Sequence, residues 1–424
     1  MLQCLGFLAT TTAVLLGLLL AFSPTSSVPI AMPDLPFLMP NRLLADAGTE
    51  RVGDGDLCGP ESLAVSSWGG TPTLFTGLQD GRIVRLTHSS PGGRPQWETV
   101  ARTGRMHSSG HCGDGGSTDT AGTEPTCGRP LGLRVAARGS ILPSRPGVTG
   151  EVVLVVADAY YGLLCVLHPH GGASGTPEIV TLATRAAGDP SGHTFSLLND
   201  VVQAPDGTLY FTETTQEYQR RRIFYAFFSG RPTGRLLSWR EGEGARVVAD
   251  GIFMANGVTL SIDGTHLLIV SGVSVLKYSL ARGEMEPAPL VAALPGSGDN
   301  IRTTWHTPSE GSADTPTPCY LAGLGSRYSQ PFSLMHAAGD WPWVRQLMAS
   351  MLPYASIVNA IPKYGILAVI AANGTILETF QDPSGKWPWL SEGEYFDGFL
   401  YLGSWYVPAR MSFLSNESRA GADS

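Results

Sequence analysis

Apolar residues in this chain come in short, strand-length runs separated by two-residue turn signals. The runs at 63–86, 201–211, 258–278, 366–380 and 396–405 carry Asp80-Gly81, Asp206-Gly207, Asp263-Gly264, Asn373-Gly374 and Asp397-Gly398. Asp-Gly and Asn-Gly between alternating apolar runs predict β-hairpins, because these residues tolerate the backbone a tight turn requires. A further strand pair is expected at 151–167. Repeat starts near Gly59, Gly128, Leu197, Ala255, Gly298 and Tyr364 give six units. The intervals from Asn199 to Asn256 and from Asn256 to Asp299 fit one propeller blade of roughly 40–50 residues. The expected fold is therefore all-β, a six-bladed β-propeller with short helical insertions, preceded by an N-terminal apolar helix.

Two stretches break the pattern. Residues 216–234 set Arg220, Arg221 and Arg222 against Ile223, Phe224, Tyr225, Phe227 and Phe228. This arrangement suits a lid or a membrane-surface contact, and equally a solvated turn followed by a buried strand or short helix. Residues 340–352 place Trp341, Val344, Leu347, Met348 and Met351 at helical spacing, with Asp340 as the expected N-cap. Such a face is expected to pack on its own domain.

Residues 2–22 are almost wholly apolar and uncharged, and the first positive side chain is Arg42. That length suits a bilayer span of roughly 20 residues, and the apolar core of a cleaved secretory signal is usually shorter, about 7–15. The expectation is a retained single-pass anchor with the propeller on the lumenal or extracellular side, or a secreted chain if the segment is cleaved. The divisions expected are 1–22 as anchor or signal, 23–58 as linker, 59–414 as propeller and 415–424 as tail. The linker reading rests on the proline-rich stretch 23–40.

Composition adds little that conflicts. The chain has 424 residues, 43% of them hydrophobic, enough for a large core, and its 52 Gly and 31 Pro suit many turns. The net charge of -8, with lysine only at Lys277, Lys363 and Lys386, argues against nucleic acid as a partner. Cys112 and Cys127 bracket a Gly/Ser/Thr-rich loop and either close a small ring in an oxidising lumen or stay as free thiols. Cys58, Cys165 and Cys319 have no obvious partners, and Cys4 lies in the apolar segment. Asn373 and Asn416 begin glycosylation sequons, although Asn373 also suits a hairpin turn.

Oxygen-bearing side chains stand just before several strand-like runs: Glu61 in Gly-Pro-Glu-Ser, Asn199 in Leu-Leu-Asn-Asp, Asn256 in Ala-Asn-Gly, and Asp299-Asn300 in Gly-Asp-Asn. Carboxylates mixed with amide carbonyls are what calcium prefers. Residues at equivalent strand starts of successive blades converge on the central axis, so the pattern points to an ion in the channel. The alternative is that these groups only satisfy strand ends by hydrogen bonding. Other chemistries find no support. Gly323–Ser326 lacks the context of a nucleophile elbow, no clustered Cys/His spacing suggests zinc, and no Gly-rich loop is followed by Lys-Ser/Thr.

Together, Gly59-Pro-Glu-Ser, Cys127-Gly-Arg-Pro-Leu-Gly, Ala157-Asp-Ala-Tyr-Tyr-Gly-Leu, Leu198-Asn-Asp, Asn256-Gly-Val, Gly298-Asp-Asn-Ile-Arg and Asp397-Gly-Phe-Leu-Tyr-Leu-Gly-Ser give a chain that resembles the strictosidine synthase-like family. The likeness runs from about residue 59 to 414 and is greatest to the adipocyte plasma membrane-associated protein branch. It implies a six-bladed propeller, a Cys112–Cys127 bridge and a single-pass membrane protein. The more distant paraoxonases share the fold and hold a catalytic calcium. Their ligand pattern falls on Glu61, Asn199, Asn256, Asp299 and Asn300, and their inner, structural metal position on Asp200, which otherwise only bonds to backbone. That resemblance implies hydrolysis of aryl esters or lactones, with the cation polarising the carbonyl.

Two departures limit it. Paraoxonases have a histidine where this chain has Asp158, and His107 and His111 have no register that places them in the channel. Strictosidine synthases use a glutamate where the ungapped match puts Ser391, with Glu392 one residue on. A one-residue shift on a strand reverses the side chain's face, which argues against amine–aldehyde condensation. The catalytic base is unassigned. Asp299 is a weak candidate, since a metal-bound carboxylate is a poor base. The rival function is a non-catalytic propeller that binds a ligand or protein, with calcium structural.

Overall fold

The structure, a computed structural model, describes residues 2–46, 50–51, 57–70, 72–87, 96–105, 120–144, 151–171, 175–189, 192–306, 316–327, 337–405 and 412–415. Cys112, His107, His111, Asn416 and most of the expected C-terminal tail lie outside them.

The turn dipeptides do what their chemistry predicts. Asp80, Asp206, Asp263 and Asn373 each accept, through Oδ1, the backbone N–H two residues on, from Arg82, Thr208, Thr265 and Thr375. The following glycine takes positive φ in every case, from 68° at Gly264 to 90° at Gly374. Strands joined by these turns form six four-stranded antiparallel sheets. The innermost strands are Leu63–Ser66, Pro130–Ala137, Leu198–Gln203, Ala255–Leu260, Gly296–His306 and Leu390–Phe396. Each lies beside the next and the last lies beside the first, so the sheets close around an axis as an all-β propeller. Glu50–Arg51 pairs with Ser412–Ser415, so both ends of the propeller chain share one sheet.

Packing between sheets follows the two-residue strand period. On Val152–Asp158, Val153 and Val155 enter one inter-sheet core while Leu154 and Val156 enter the next. Burial on both faces explains why these strands read as continuous apolar runs. Cys165 and Cys319 are buried free thiols within such cores. Cys127 is disulfide-bonded, and its expected partner lies outside the described residues.

Three expectations change. The repeat start near Tyr364 opens no sheet: Gly365–Ala371 is the third strand of the sheet begun by Gly296–His306, and the last sheet begins at Leu390. An Asn-Gly turn marks a hairpin without marking its sheet, and the long segment between Arg327 and Gly365 disturbs the spacing. The helix expected from Asp340 runs Pro342–Met351, with Trp341 rather than Asp340 at the cap position. Pro342 sets the start, since its fixed φ suits the first helical turn. Its packed residues are Arg345, Met348 and Ala349, while Trp341 and Met351 are exposed.

The proline-rich segment expected as a linker is docked. Val28 and Ile30 donate backbone N–H bonds to Ser229 and Gly339, Arg327 binds the Leu38 carbonyl, and Leu44 is fully buried. Extended proline-rich backbone presents free carbonyls, and arginines meet them here. Residues Leu2–Ala21 form a helix whose side chains are described only from position 12. Among the described residues no helix is long and apolar enough to cross a membrane.

Candidate functional site

A bulge in the inner strand positions every donor except Glu61, which stands just before its strand. Leu198 pairs with Glu213 and Val201 with Phe211, Ala255 with Ser271 and Val258 with Ile269, Gly298 with Leu324 and Ile301 with Ala322. In each case the inner strand holds one residue more than its partner, at Asn199-Asp200, Asn256-Gly257 and Asp299-Asn300. A bulge re-aims side chains that regular alternation would send to opposite faces. Neighbouring strands come close enough at these points that only glycine fits. A Cβ on Gly257 would lie 2.6 Å from Asn300 Cα, and one on Gly132 would lie 2.5 Å from Asp200 Cα.

Glu61, Asn199, Asn256 and Asp299 line one cavity of about 370 Å³. Asn300 lies behind them, 1% exposed. The Oδ1 atoms of Asn199, Asn256 and Asn300 are buried without a hydrogen-bond partner, as are Gln79 Oε1 and Thr214 Oγ1 at the cavity wall. Burial and then the Glu61 charge push the Asp299 carboxyl well above its usual range, against a hydrogen bond from Asn256. Burial also raises Glu61, against the pull of Arg129. Unpartnered buried oxygens are costly, and among the described residues Asp299 has no ion pair to offset the repulsion from Glu61, whose own partner is Arg129. A hard cation would satisfy both at once. The residues present therefore fit calcium, with two carboxylates for charge and three amide oxygens for coordination. Among the described residues no group of three or more His, Cys, Asp or Glu gathers, and amides supply most of this set.

One side of the site is fixed by a buried arginine. Arg129 donates Nη2 to Glu61 Oε2 at 3.0 Å and Nη1 to the Gly59 carbonyl at 2.7 Å. Asp158 Oδ2 accepts the Arg129 N–H, and its Oδ1 accepts those of Tyr160 and Tyr161, all at 2.9 Å. Asp158 thus caps a turn where the resemblance led to a histidine.

Further along the same strands the donor set does not fit a metal. Arg302 Nη1 meets Asp200 Oδ2 at 2.8 Å, and its Nε meets Glu392 Oε1 at 2.8 Å. Burial would raise the Asp200 carboxyl, yet Arg302 and Arg134 together hold it below its usual range. Ser391 Oγ donates to the Glu61 carbonyl at 2.6 Å. Glu392 was expected to face away. A bulge between Leu390 and Glu392 brings it to the axis instead, where Arg302 and the Leu63 N–H bind it outside the cavity. Near it, burial and the Glu392 charge push the Glu394 carboxyl up to about 7, against Arg302 and Arg134. Its folded value exceeds its unfolded one, so the contribution to stability is full below about 4.3 and is lost as pH rises through about 7. Glu394→Gln should therefore melt several degrees above the parent at pH 8 and level with it below about pH 4. Thermal melts from about pH 4 to 9 check this.

The cavity is roofed by the first insertion and by residues 354–361, with the helix Pro342–Met351 packed against that roof. Residues Arg220–Arg222 form a helical turn followed by the helix Ile223–Ser229. Arg220 bonds Glu124 at 2.6 Å and the Trp405 carbonyl at 2.5 Å, while Phe224 stacks near Tyr354 and Trp405. Phe228, Ala349 and Ile357 join both insertions in one apolar cluster. The arginine cluster is thus a lid with one arginine turned inward.

Comparison with known proteins places this architecture. A strictosidine synthase model matches residues 199–281, and a strictosidine synthase-like N-terminal model matches 38–86. The adipocyte plasma membrane-associated protein of Gallus gallus is 30% identical over 395 residues, 91% of this chain and 83% of that one. The chain belongs to the strictosidine synthase-like family. Protein strictosidine synthase-like 13 of Arabidopsis thaliana is 31% identical over 337 residues, covering 77% and 73% of the two chains. A solved gluconolactonase from Xanthomonas campestris superposes with a TM-score of 0.48 at 13% identity, over 93% of this chain and 99% of that one.

In this member of the family the five expected ligand residues sit at one end of the channel, four of them on the cavity wall. Sequence reasoning missed Arg129, Arg302, Glu124, Tyr354 and Trp405. Arg129 lay inside the Cys-Gly-Arg motif and Arg302 inside Asp-Asn-Ile-Arg, but no local pattern announces a buried arginine's distant partner.

Proposed function

We propose that this strictosidine synthase-like propeller is a calcium-dependent hydrolase of lactones or aryl esters, held at a membrane by its N-terminal helix. The observation that carries the reading is the meeting of Glu61 and Asp299 with unpartnered oxygens of Asn199, Asn256 and Asn300 beside a roofed cavity. Glu61 and Asp299 would carry the negative charge, and the three asparagines would supply neutral oxygens. Calcium, when bound, polarises a carbonyl and stabilises the developing oxyanion. Phe224, Tyr354 and Trp405 exclude water and offer an apolar surface to an acyl or aryl group. Arg129 holds the Glu61 carboxylate in place.

The membrane part draws support from how the helix packed against the roof meets the first helix. Gln346 Nε2 donates to the Leu20 carbonyl at 2.7 Å and Ser350 Oγ to the Leu19 carbonyl at 2.8 Å. The same helix, Pro342–Met351, begins with Trp341 at its cap position and Trp343 in its first turn, 56% and 47% exposed, as interfacial aromatic residues are. A second reading is a propeller that binds a ligand without turnover. It is favoured by the absence of histidine among the described cavity residues, which leaves Asp299 as the nearest base.

Glu61→Gln removes one of the two anionic ligands while keeping the size. Calcium affinity should fall at least ~10-fold, lowering calcium's contribution to stability by ~1.4 kcal/mol at saturating ion. Melts with calcium and with chelator separate this from the loss of the Arg129 pair, which acts in both. A parent protein that melts identically in both, with the ion shown to be stripped, contradicts calcium binding. Hydrolysis of an aryl ester and lactone panel, abolished by chelator, tests the activity.

A further inference from the structure

We infer that the guanidinium of Arg302 is the resident cation of the inner channel, standing where a second metal ion would, so that the propeller closes without metal and takes a single ion at the Glu61–Asp299 site. The count of one ion rests on the proposed function, whereas the role of Arg302 does not.

The donor geometry is saturated. Arg302 is 5% exposed. Nη1 donates to Asp200 Oδ2 at 2.8 Å and to the Ile301 carbonyl at 2.9 Å. Nη2 meets Asp200 Oδ1 at 3.3 Å, Ser62 Oγ at 3.0 Å and Glu392 Oε2 at 2.5 Å, and Nε meets Glu392 Oε1 at 2.8 Å. Every N–H of the fork has an oxygen: both Nη atoms meet Asp200, and Nε bonds Glu392, whose Oε2 stands in ion-pair contact with Nη2. Two guanidiniums, Arg302 and Arg134, whose Nη2 lies 3.6 Å from Asp200 Oδ2, face the carboxylates of Asp200 and Glu392, with Glu394 beside them pushed toward its neutral form. A divalent ion entering here would have to displace a fully bonded guanidinium and would leave excess positive charge in a buried site.

The network also ties the ring together. Asp200 Oδ2 accepts the Val258 N–H, Ser62 Oγ accepts the Leu133 N–H, and Glu392 Oε1 accepts the Leu63 N–H. With Asp200, Arg302 and Glu392 on their own strands, all six innermost strands are linked through one guanidinium, two carboxylates and the Ser62 hydroxyl. A metal coordinated by blade residues would cross-link them in the same way.

The test counts calcium on the purified full chain by equilibrium dialysis and follows thermal melts with and without chelator. One ion per chain is expected for the parent, and two would overturn the inference. Arg302→Ala leaves Asp200 and Glu392 facing a hole with only Arg134 as counter-charge. It should bind one ion more than the parent and show a larger calcium-dependent rise in melting temperature than the parent. A folded Arg302→Ala with the parent's ion count and melting overturns the inference. Should that variant fail to fold, Asp200→Asn/Arg302→Met/Glu392→Gln provides the decision. This neutral variant should fold and bind as many ions as the parent, and a folded triple variant that binds fewer overturns the inference. A parent that binds no calcium contradicts the proposed function alone, since Arg302→Ala is then expected to acquire its first ion.

Discussion

Asn256→Ala is expected to lower turnover about 100-fold while weakening calcium binding only modestly. Asn256 does two things at the site. Its Oδ1 is a buried oxygen without a partner, and its side chain hydrogen-bonds Asp299. Removing it takes away a neutral ligand, which costs the ion little charge. It also frees the Asp299 carboxylate to turn, which moves the ion relative to the substrate. Small displacements at a reacting centre cost far more in rate than in affinity. Steady-state kinetics on a lactone or aryl ester, alongside a calcium titration of the same variant, separates the two effects. Equal losses in rate and affinity would show that Asn256 only holds the ion.

The largest loss of stability is expected from Gly257→Ala. The added Cβ would lie 2.6 Å from Asn300 Cα, 2.7 Å from the Asp299 carbonyl oxygen and 2.7 Å from the Ile301 nitrogen. All three are backbone atoms, so no side chain can swing aside, and the bulge carrying Asp299 and Asn300 must move. Overpacking of this kind costs about 1–3 kcal/mol and sometimes more. Calcium affinity should fall with it, because two ligands shift together. Gly264→Ala is the control. It also strains the backbone, at φ 68°, but its Cβ meets nothing within 4 Å. It should cost about 1–2 kcal/mol and leave calcium affinity unchanged. Melts and calcium titrations of both variants check the pair, and unchanged affinity in Gly257→Ala would remove strand spacing as a positioning device.

The sequence made the hairpins and the donor set legible because both are local. An Asp-Gly turn carries its own hydrogen bond from the aspartate to the residue two on, so its meaning does not depend on the rest of the fold. Asn199, Asn256 and Asp299 stand at strand starts, and a propeller brings strand starts to its axis. The bulges behind them were not legible, and without them Glu392 was expected on the wrong face. The sheet order failed at Tyr364 for a similar reason, since a hairpin signal says that two strands pair and not which sheet they join. Arg302 and Arg129 were hidden differently. A buried arginine is specified by partners 102 and 68 residues away, at Asp200 and Glu61, and nothing near it in the chain records them. The proline-rich segment looked like a spacer because its composition excludes helix. What docks it is Arg345, fully buried and bonded to the Val28 carbonyl from a helix 317 residues further on.

The central claim is that the Glu61–Asp299 site holds calcium for hydrolysis. The most direct test measures lactone and aryl ester hydrolysis by the purified full-length chain as isolated, after stripping with chelator, and after calcium is restored. The account predicts turnover that disappears on stripping and returns with calcium, and that Glu61→Gln needs more calcium to restore. Absence of turnover across the panel with the site saturated, or turnover indifferent to stripping, would contradict it.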